Sequence, residues 1–294
     1  MTMLSYLING LGLGSVYAII ALGYSMVYGI AKMLNFAHGD VIMIGAYVAF
    51  FAISTFHLPV LVSVLLSVAV CTVLGITIER LAYKPLRQAS SLSVLITAIG
   101  VSYFLQNGAL ILFGSDTKVF PSNALPEGSL SLFGGQLSIY YTTLITIAVC
   151  IIIMLALTFF INKTKTGKAM RACSEDKGAA TLMGINVNRI ISITFAIGSG
   201  LAAIAAVLLC ASYPTMSPTL GSMPGIKAFT AAVLGGIGSI PGALLGGLLL
   251  GIIEIFAKAY ISTQLSDAVV FGVLIVVLLI KPTGLLGKKL SEKV

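Results

Sequence analysis

Residues 162–189 read NKTKTGKAMRACSEDKGAATLMGINVNR, and the reading of this stretch decides the fold. Six of the seventeen Lys and Arg residues lie in it: Lys163, Lys165, Lys168, Arg171, Lys177 and Arg189. Glu175 and Asp176 are its only acids, and the chain on either side is almost wholly apolar. A stretch this polar cannot lie in hydrocarbon, so it faces water on the side where basic residues collect, the cytoplasm. Its second half, Glu175 to Asn186, predicts a short helix with Ala179, Leu182 and Met183 on one face. An amphipathic helix outside the bilayer needs a surface to pack on, which predicts a docking element for a soluble partner.

The rest of the composition agrees with this reading. The chain is 58% hydrophobic and 9% charged, with mean hydropathy +1.09. A soluble domain carries about a quarter charged residues. A polytopic, all-α membrane protein follows, and a soluble enzyme is excluded. The net charge of +8 sits in loops and tail, where it orients the chain in the bilayer; no nucleic-acid partner is expected. The start, MTMLSYLINGL, lacks the basic segment of a secretory peptide, so the first apolar stretch is expected to stay as a span. Cys71, Cys150, Cys173 and Cys210 have no paired spacing, which predicts neither disulfide nor metal site. Trp is absent, leaving Tyr to supply any aromatic belt.

About eight hydrophobic segments follow from runs long enough to span, roughly 20 residues each. They are Leu4–Ile30 (with a kink expected at Gly23), the short Val41–Ile53, Val60–Ile78, Leu92–Phe113, Ile139–Ile161, Ile190–Ala211, Ala228–Phe256 and Ala268–Ile280. Gly114 to Ser138, with Asp116, Lys118 and Glu127, reads as an external loop, and Ser212 to Gly225 as a proline-rich one. Eight simple crossings would put the basic tail (Lys281, Lys288, Lys289, Lys293) opposite the basic loop, against the positive-inside rule. A half-helix within Ala228–Phe256 that enters and turns back at the break 235–242 (GGIGSIPG), followed by a crossing helix, restores the parity and a cytoplasmic C-terminus. Two interrupted elements, LNFAHGDVIMIGAYVAF and LGGIGSIPGALLGGLLLGIIEIF, suggest an inverted repeat, the usual pointer to a transporter.

Few residues could carry chemistry. Asn35, Phe36, His38, Asp40 and Tyr47 cluster at the first broken element. Asp40 is placed to cap the following helix. This group either satisfies broken backbone or lines a translocation path, and Asp40 could serve as a proton site in an ion-coupled transporter. Glu254 and Lys258 read as an i,i+4 pair, and Asp267 as a cap for the last span. Gly242, Gly246, Gly247 and Gly251 form a small-residue face suited to internal packing or to a subunit seam. TKTGKAM lacks the upstream glycine of a phosphate loop, and Ala169 stands where that loop needs Ser or Thr, so this chain should bind no ATP and no other cofactor.

Three stretches together resemble a known family: residues 15–47, 171–190 and 231–254. The chain resembles the permeases of bacterial high-affinity branched-chain amino acid ABC importers, specifically the shorter of the two. The resemblance runs from about Leu4 to Gly287. It implies one transmembrane permease domain, 1–294, in the inner membrane, and no enzymatic activity in the chain itself. It also implies a second, homologous permease, two cytoplasmic ATPase subunits and a soluble binding protein. The ATPases would supply ATP and Mg, and the binding protein would deliver leucine, isoleucine or valine. Residues 162–189 then hold the coupling helix, for which Arg171, Glu175, Asp176, Ala179, Ala180 and Gly184 are the candidate residues. The family pattern is Glu-Ala-Ala, three residues, Gly; here the acids stand ahead of the alanine pair, displaced. Related permeases move urea, short amides or aromatic acids, and an ion-coupled secondary transporter is the reading from another class.

Overall fold

The computed structural model describes residues 2–121, 125–126, 128–132 and 137–287. Glu127 of the external loop and Lys288, Lys289 and Lys293 of the tail lie outside the described residues.

The hydrophobic segments form helices α1 (Thr2–Ala31), α2 (His38–Ser54), α3 (Val60–Ile78), α4 (Ser91–Phe113) and α5 (Tyr141–Lys163). The polar stretch folds as α6 (Lys165–Glu175) and α7 (Lys177–Leu182). Then follow α8 (Val187–Ser212), α9 (Ser222–Gly235), α10 (Ile240–Tyr260) and α11 (Ser266–Ile280). Six of these helices are long and apolar enough to cross a membrane. The stretch 114–140 is not wholly irregular. It holds β1 (Lys118–Val119), β2 (Ser129–Leu132) and β3 (Leu137–Tyr140), and β4 (Thr215–Met216) follows α8. β2 pairs with β3, and β1 with β4 through Lys118–Met216 and Val119–Thr215, both antiparallel. The second pair ties the far ends of α4 and α8 together.

Small residues decide which helices meet, because without a hydrophobic difference between lipid and protein, close backbone approach drives association. On α1, Gly10, Gly14 and Ala18 face Ile252, Gly251 and Gly247 of α10, in antiparallel order. A Cβ at Gly14 would stand 2.8 Å from the Leu248 Cα. The glycine face of α10 is thus an internal seam, filled by α1 and by Ala231 of α9 opposite Gly246. On α3 the buried stripe is Ser63, Ser67, Cys71, Gly75 and Ile78. It packs on α2 through Ser67 Oγ, which donates to Gly45 O at 2.8 Å, and on α8 through Gly75 beside Phe195 and Ser199. Most of α3, α4 and α5 outside such stripes is exposed apolar surface, as lipid-facing helices require, whereas α1 and α8 are enclosed.

Helix directions follow from these contacts. The C-terminal end of α1 accepts a bond from Lys177 of α7 at Ala31 O, 2.7 Å, so α1 runs toward the basic loop. α8 starts at that loop and runs away from it, and the two cross where Gly23 meets Gly198. α3 ends on the loop face, where Glu79 meets Ser192 at the start of α8. α10 begins beside the loop-side end of α1, with Gly238 N–H donating to Ser25 Oγ at 2.8 Å, and runs away. The packing therefore exchanges under a swap of halves: α1 on α10 and α8 on α3, α2 against α8 and α9 against α1, each half running opposite to the other. This is the inverted repeat expected from the sequence, with one revision. The partner of α2 is α9, not α10: the N-terminal ends of the two short helices abut, Gly39 against Gly221 and Gly225. The glycine-rich break 236–239 joins α9 to α10 as a turn, with Gly236 and Gly238 at φ +104 and +92. Leu285 and Leu286 N–H groups close onto Leu234 and Gly235 carbonyls, each at 2.9 Å, so the chain after α11 returns to the loop face. α9 thus crosses half the depth in one direction instead of entering and turning back.

Three local expectations change. α1 continues as one helix through Gly23, which serves packing: a Cβ there would stand 2.6 Å from His38 Nε2. Asp40 and Asp267 lie in the first turns of α2 and α11 but do not cap them; Ala37 and Leu265 hold the cap positions, with no side-chain bond. In both cases the carboxylate is drawn sideways to a partner on another helix.

Candidate coupling surface and half-helix junction

The polar stretch is more ordered than a single amphipathic helix. Thr164 Oγ1 caps α6 by accepting from Gly167 N–H at 3.0 Å, and Gly167 lets α6 fold back against the Phe160–Ile161 backbone. Met170 and Cys173 anchor α6 in the core; burial pushes the Cys173 thiol up from its ordinary value. Asp176 breaks α6 from α7 and caps α7, its Oδ1 accepting from Ala179 N–H at 3.0 Å. The cap explains why an acid precedes the alanine pair: it is needed three residues ahead of Ala179. Glu175 is the exposed last residue of α6, and Arg171 reaches Asn162 Oδ1 at 3.2 Å.

At its other end α7 closes with Gly184 at φ +80. Gly184 N–H bonds to Thr181 O at 2.9 Å and Ile185 N–H to Ala180 O at 3.0 Å, the paired bonds of a Schellman ending. Ala180 is buried, and its small side chain lets α7 lie close to the body. Ala179, Leu182 and Met183 face outward as expected, with Leu182 and Met183 90% and 82% exposed. Lys177 pins the base of α7 to α1; burial, then Arg87 and Lys32 nearby, hold its ammonium below the ordinary lysine value. The result is a rigid, cationic platform with a two-residue apolar tip.

The second cluster lies where α2 and α9 abut. Gln106 Nε2 of α4 lies 2.9 Å from Asp40 Oδ1, 3.2 Å from Ser102 Oγ and 3.3 Å from Ser222 Oγ, sharing its two hydrogens among them, so it bridges the first turns of both short helices. His38 packs edge-on to Tyr24, with ring centroids 4.6 Å apart, and Phe36 packs on Phe229 at 5.4 Å. Asn35 Oδ1 accepts from the Tyr83 hydroxyl at 2.9 Å. Tyr47 stacks on Phe113 at 4.5 Å. The structure therefore brings Phe36, His38 and Asp40 together and sets Asn35 and Tyr47 apart from them, one against Tyr83 and the other two turns along α2. Among the described residues, His38 Nε2 and Tyr47 Oη are buried without a hydrogen-bond partner.

Two buried carboxylates escaped the sequence reading in part. Glu254 pairs with Lys258 at 2.7 Å, as its spacing predicts, but its Oε1 also takes Lys227 of α9 at 2.8 Å, and its Oε2 accepts from Tyr17 of α1 at 2.9 Å. Lys227 in turn reaches Asp267 of α11 at 2.6 Å. Glu79, fully buried at the opposite face, holds Arg87 and accepts from Ser192 of α8 at 2.6 Å. The two sites correspond under the swap of halves. Each carboxylate sits near the end of a third helix and accepts a hydroxyl from the other half's first helix. Lys227, alone in an apolar run, was the available signal: a buried cation implies a carboxylate nearby.

An inverted pair of helix sets, with half-helices meeting at depth and a polar platform on the basic face, defines the class: a multi-pass membrane permease. Comparison with known proteins narrows it. Residues 6–278 match the family model of the branched-chain amino acid transport system permease component, and the chain belongs to that family. It is 50% identical to the high-affinity branched-chain amino acid transport system permease protein BraD of Pseudomonas aeruginosa, over 99% of this chain and 98% of that one. It is 47% identical to the LivH protein of Escherichia coli K12, over 99% and 97%. A probable LivH of Methanocaldococcus jannaschii shares 30% over 93% and 90%. A solved structure, PsaBC from Streptococcus pneumoniae in complex with Fab, covers 95% of this chain and 92% of its own with TM-score 0.50 at 16% identity, a likeness of fold.

Proposed function

We propose that this chain is the membrane-spanning permease of an ATP-binding cassette importer for leucine, isoleucine and valine, and that α7 is its coupling helix. The observation that carries the coupling role is the exposed Leu182–Met183 tip on a helix capped at both ends and tied to α1 by Lys177. A helix so fixed transmits a push without bending. Its base touches the C-terminal end of α1, and α1 packs on α10 and crosses α8, so a displacement reaches both halves. The basic face carrying α7 is cytoplasmic by the distribution of Lys and Arg, and the two ATPase subunits dock beneath it in this reading. A homologous second permease completes the pathway, and an external binding protein supplies the cargo. The names of the relatives support the cargo.

Alternating access needs two states whose balance ATP binding shifts. The half-helix junction is where the halves meet end to end, and Phe36, His38 and Asp40 act there by setting the wall of the pathway from within the subunit, with Asn35 and Tyr47 supporting it from either side. The unpartnered Nε2 of His38 and Oη of Tyr47 fit an element that rearranges between states.

The test is co-purification from detergent-solubilised membranes containing the whole transporter, using the unmodified chain against Leu182→Asp/Met183→Asp. Both positions are largely exposed, so the fold is retained. Loss of the ATPase subunits from the variant, with the second permease kept, is the expected result. ATPase retained at the unmodified level removes α7 from the coupling role. Uptake of labelled leucine, against urea and phenylalanine in the same membranes, tests the cargo separately.

A further inference from the structure

A groove of about 610 Å³ opens on the basic face between the end of α3 and the start of α8. Arg80, Lys84 and Arg189 ring its mouth, and Ile76, Ile193 and Ala196 form its floor. None of the three cations forms an ion pair with a carboxylate among the described residues; the nearby Glu79 is held by Arg87. The N-terminal end of α8 adds its partial positive charge at the same place. A π turn, Glu79–Tyr83, continues α3 at this point and swings Arg80 and Lys84 outward.

From Arg189 to Ala196 is about 10 Å along α8, at ~1.5 Å per residue. The cations therefore sit at headgroup level while the floor lies in the hydrocarbon. That combination selects the occupant. A free phosphate has no use for an apolar floor, and a soluble protein cannot reach one that deep. We propose that the groove binds an anionic phospholipid, with its phosphate among Arg80, Lys84 and Arg189 and the upper part of its acyl chains along Ile76, Ile193 and Ala196. The inference stands on the membrane fold and not on the coupling role of α7.

The chain has no Trp, so a single introduced Trp is an unconfounded reporter. Ile193→Trp in the full chain is reconstituted into phosphatidylcholine vesicles carrying brominated phosphatidylglycerol, or brominated phosphatidylcholine, at equal mole fraction. A preference of about tenfold for the anionic lipid is expected, because each basic residue near the surface attracts anionic headgroups and screening removes part of that attraction. Arg80→Gln/Lys84→Gln/Arg189→Gln brings the ratio close to one, while its unfolding temperature stays at that of the unmodified chain. A reporter at Leu112, exposed at the far end of α4 away from the basic face, shows a smaller preference. Four results overturn the proposal. They are equal quenching by the two lipids in Ile193→Trp, a preference at Leu112→Trp as large as at Ile193→Trp, relief of quenching by inorganic phosphate, and shielding of Ile193→Trp from both lipids when the ATPase subunits are added.

Discussion

Replacing Lys227 by Met tests whether the charge cluster of α9, α10 and α11 is one unit. Lys227 and Lys258 balance Glu254 and Asp267. Lys227 is 6% exposed and Glu254 1%, so neither can turn to water. Lys227→Met leaves the cluster one negative charge in excess, with Glu254 held only by Lys258 and Tyr17 and Asp267 without its cation. Breaking a buried pair from one side costs about 3–5 kcal/mol; the two remaining donors to Glu254 put this case near the lower end, about 3 kcal/mol. Glu254→Leu leaves the opposite excess and a Tyr17 hydroxyl without its acceptor, at a similar cost. The double variant restores neutrality, because Lys258 is free to pair with Asp267 or to reach the interface. Its loss is expected to fall short of the sum of the singles by about 2 kcal/mol, the coupling of neighbours in one network. The four buried free cysteines provide the assay, since a thiol-reactive dye reports their exposure on heating in detergent. Each single variant is expected to unfold roughly 6–12 °C earlier, at ~2–4 °C per kcal/mol for a chain of this size. Strict additivity of the two changes, or an unaltered midpoint in Lys227→Met, refutes the argument that burial makes these charges interdependent.

Two further outcomes follow from packing. Gly247→Ala places a Cβ into the Ala18 backbone of α1, where neither helix can give way, so a loss of about 1–3 kcal/mol is expected in the same dye assay; Gly272→Ala, with open space at its Cβ, is the neutral control. Tyr47→Phe removes a buried hydroxyl without a partner and keeps the stack on Phe113. A midpoint raised by the equivalent of about 1 kcal/mol is expected, together with slower leucine uptake if that hydroxyl finds its partner in the other state. A lowered midpoint shows that it is satisfied in this one.

The spans, the polar platform and its glycine ending were legible in the sequence because they are local. A run of some 20 apolar residues must be buried or in lipid whatever its neighbours are. Gly184 ends α7 because a left-handed residue there is inexpensive only for glycine. Small residues on α10 announced a close approach, but not its partner. What the tertiary structure decided was partnership. The sequence pairs α2 with α10 because a polar or glycine-rich break precedes a glycine-spaced apolar helix in each, yet the contacts pair α2 with α9, since the plainer Pro- and Ser-rich approach to α9 is the one that reaches the middle of the fold. Asp40 and Asp267 read as caps from their positions, but a buried carboxylate takes the strongest donor within reach, and Gln106 and Lys227 stand on other helices. Lys227 itself gave no sign in its own segment of which acids it would meet. Local hydropathy determines where a helix runs through a membrane; only the order in which helices meet determines which buried charges neutralise one another.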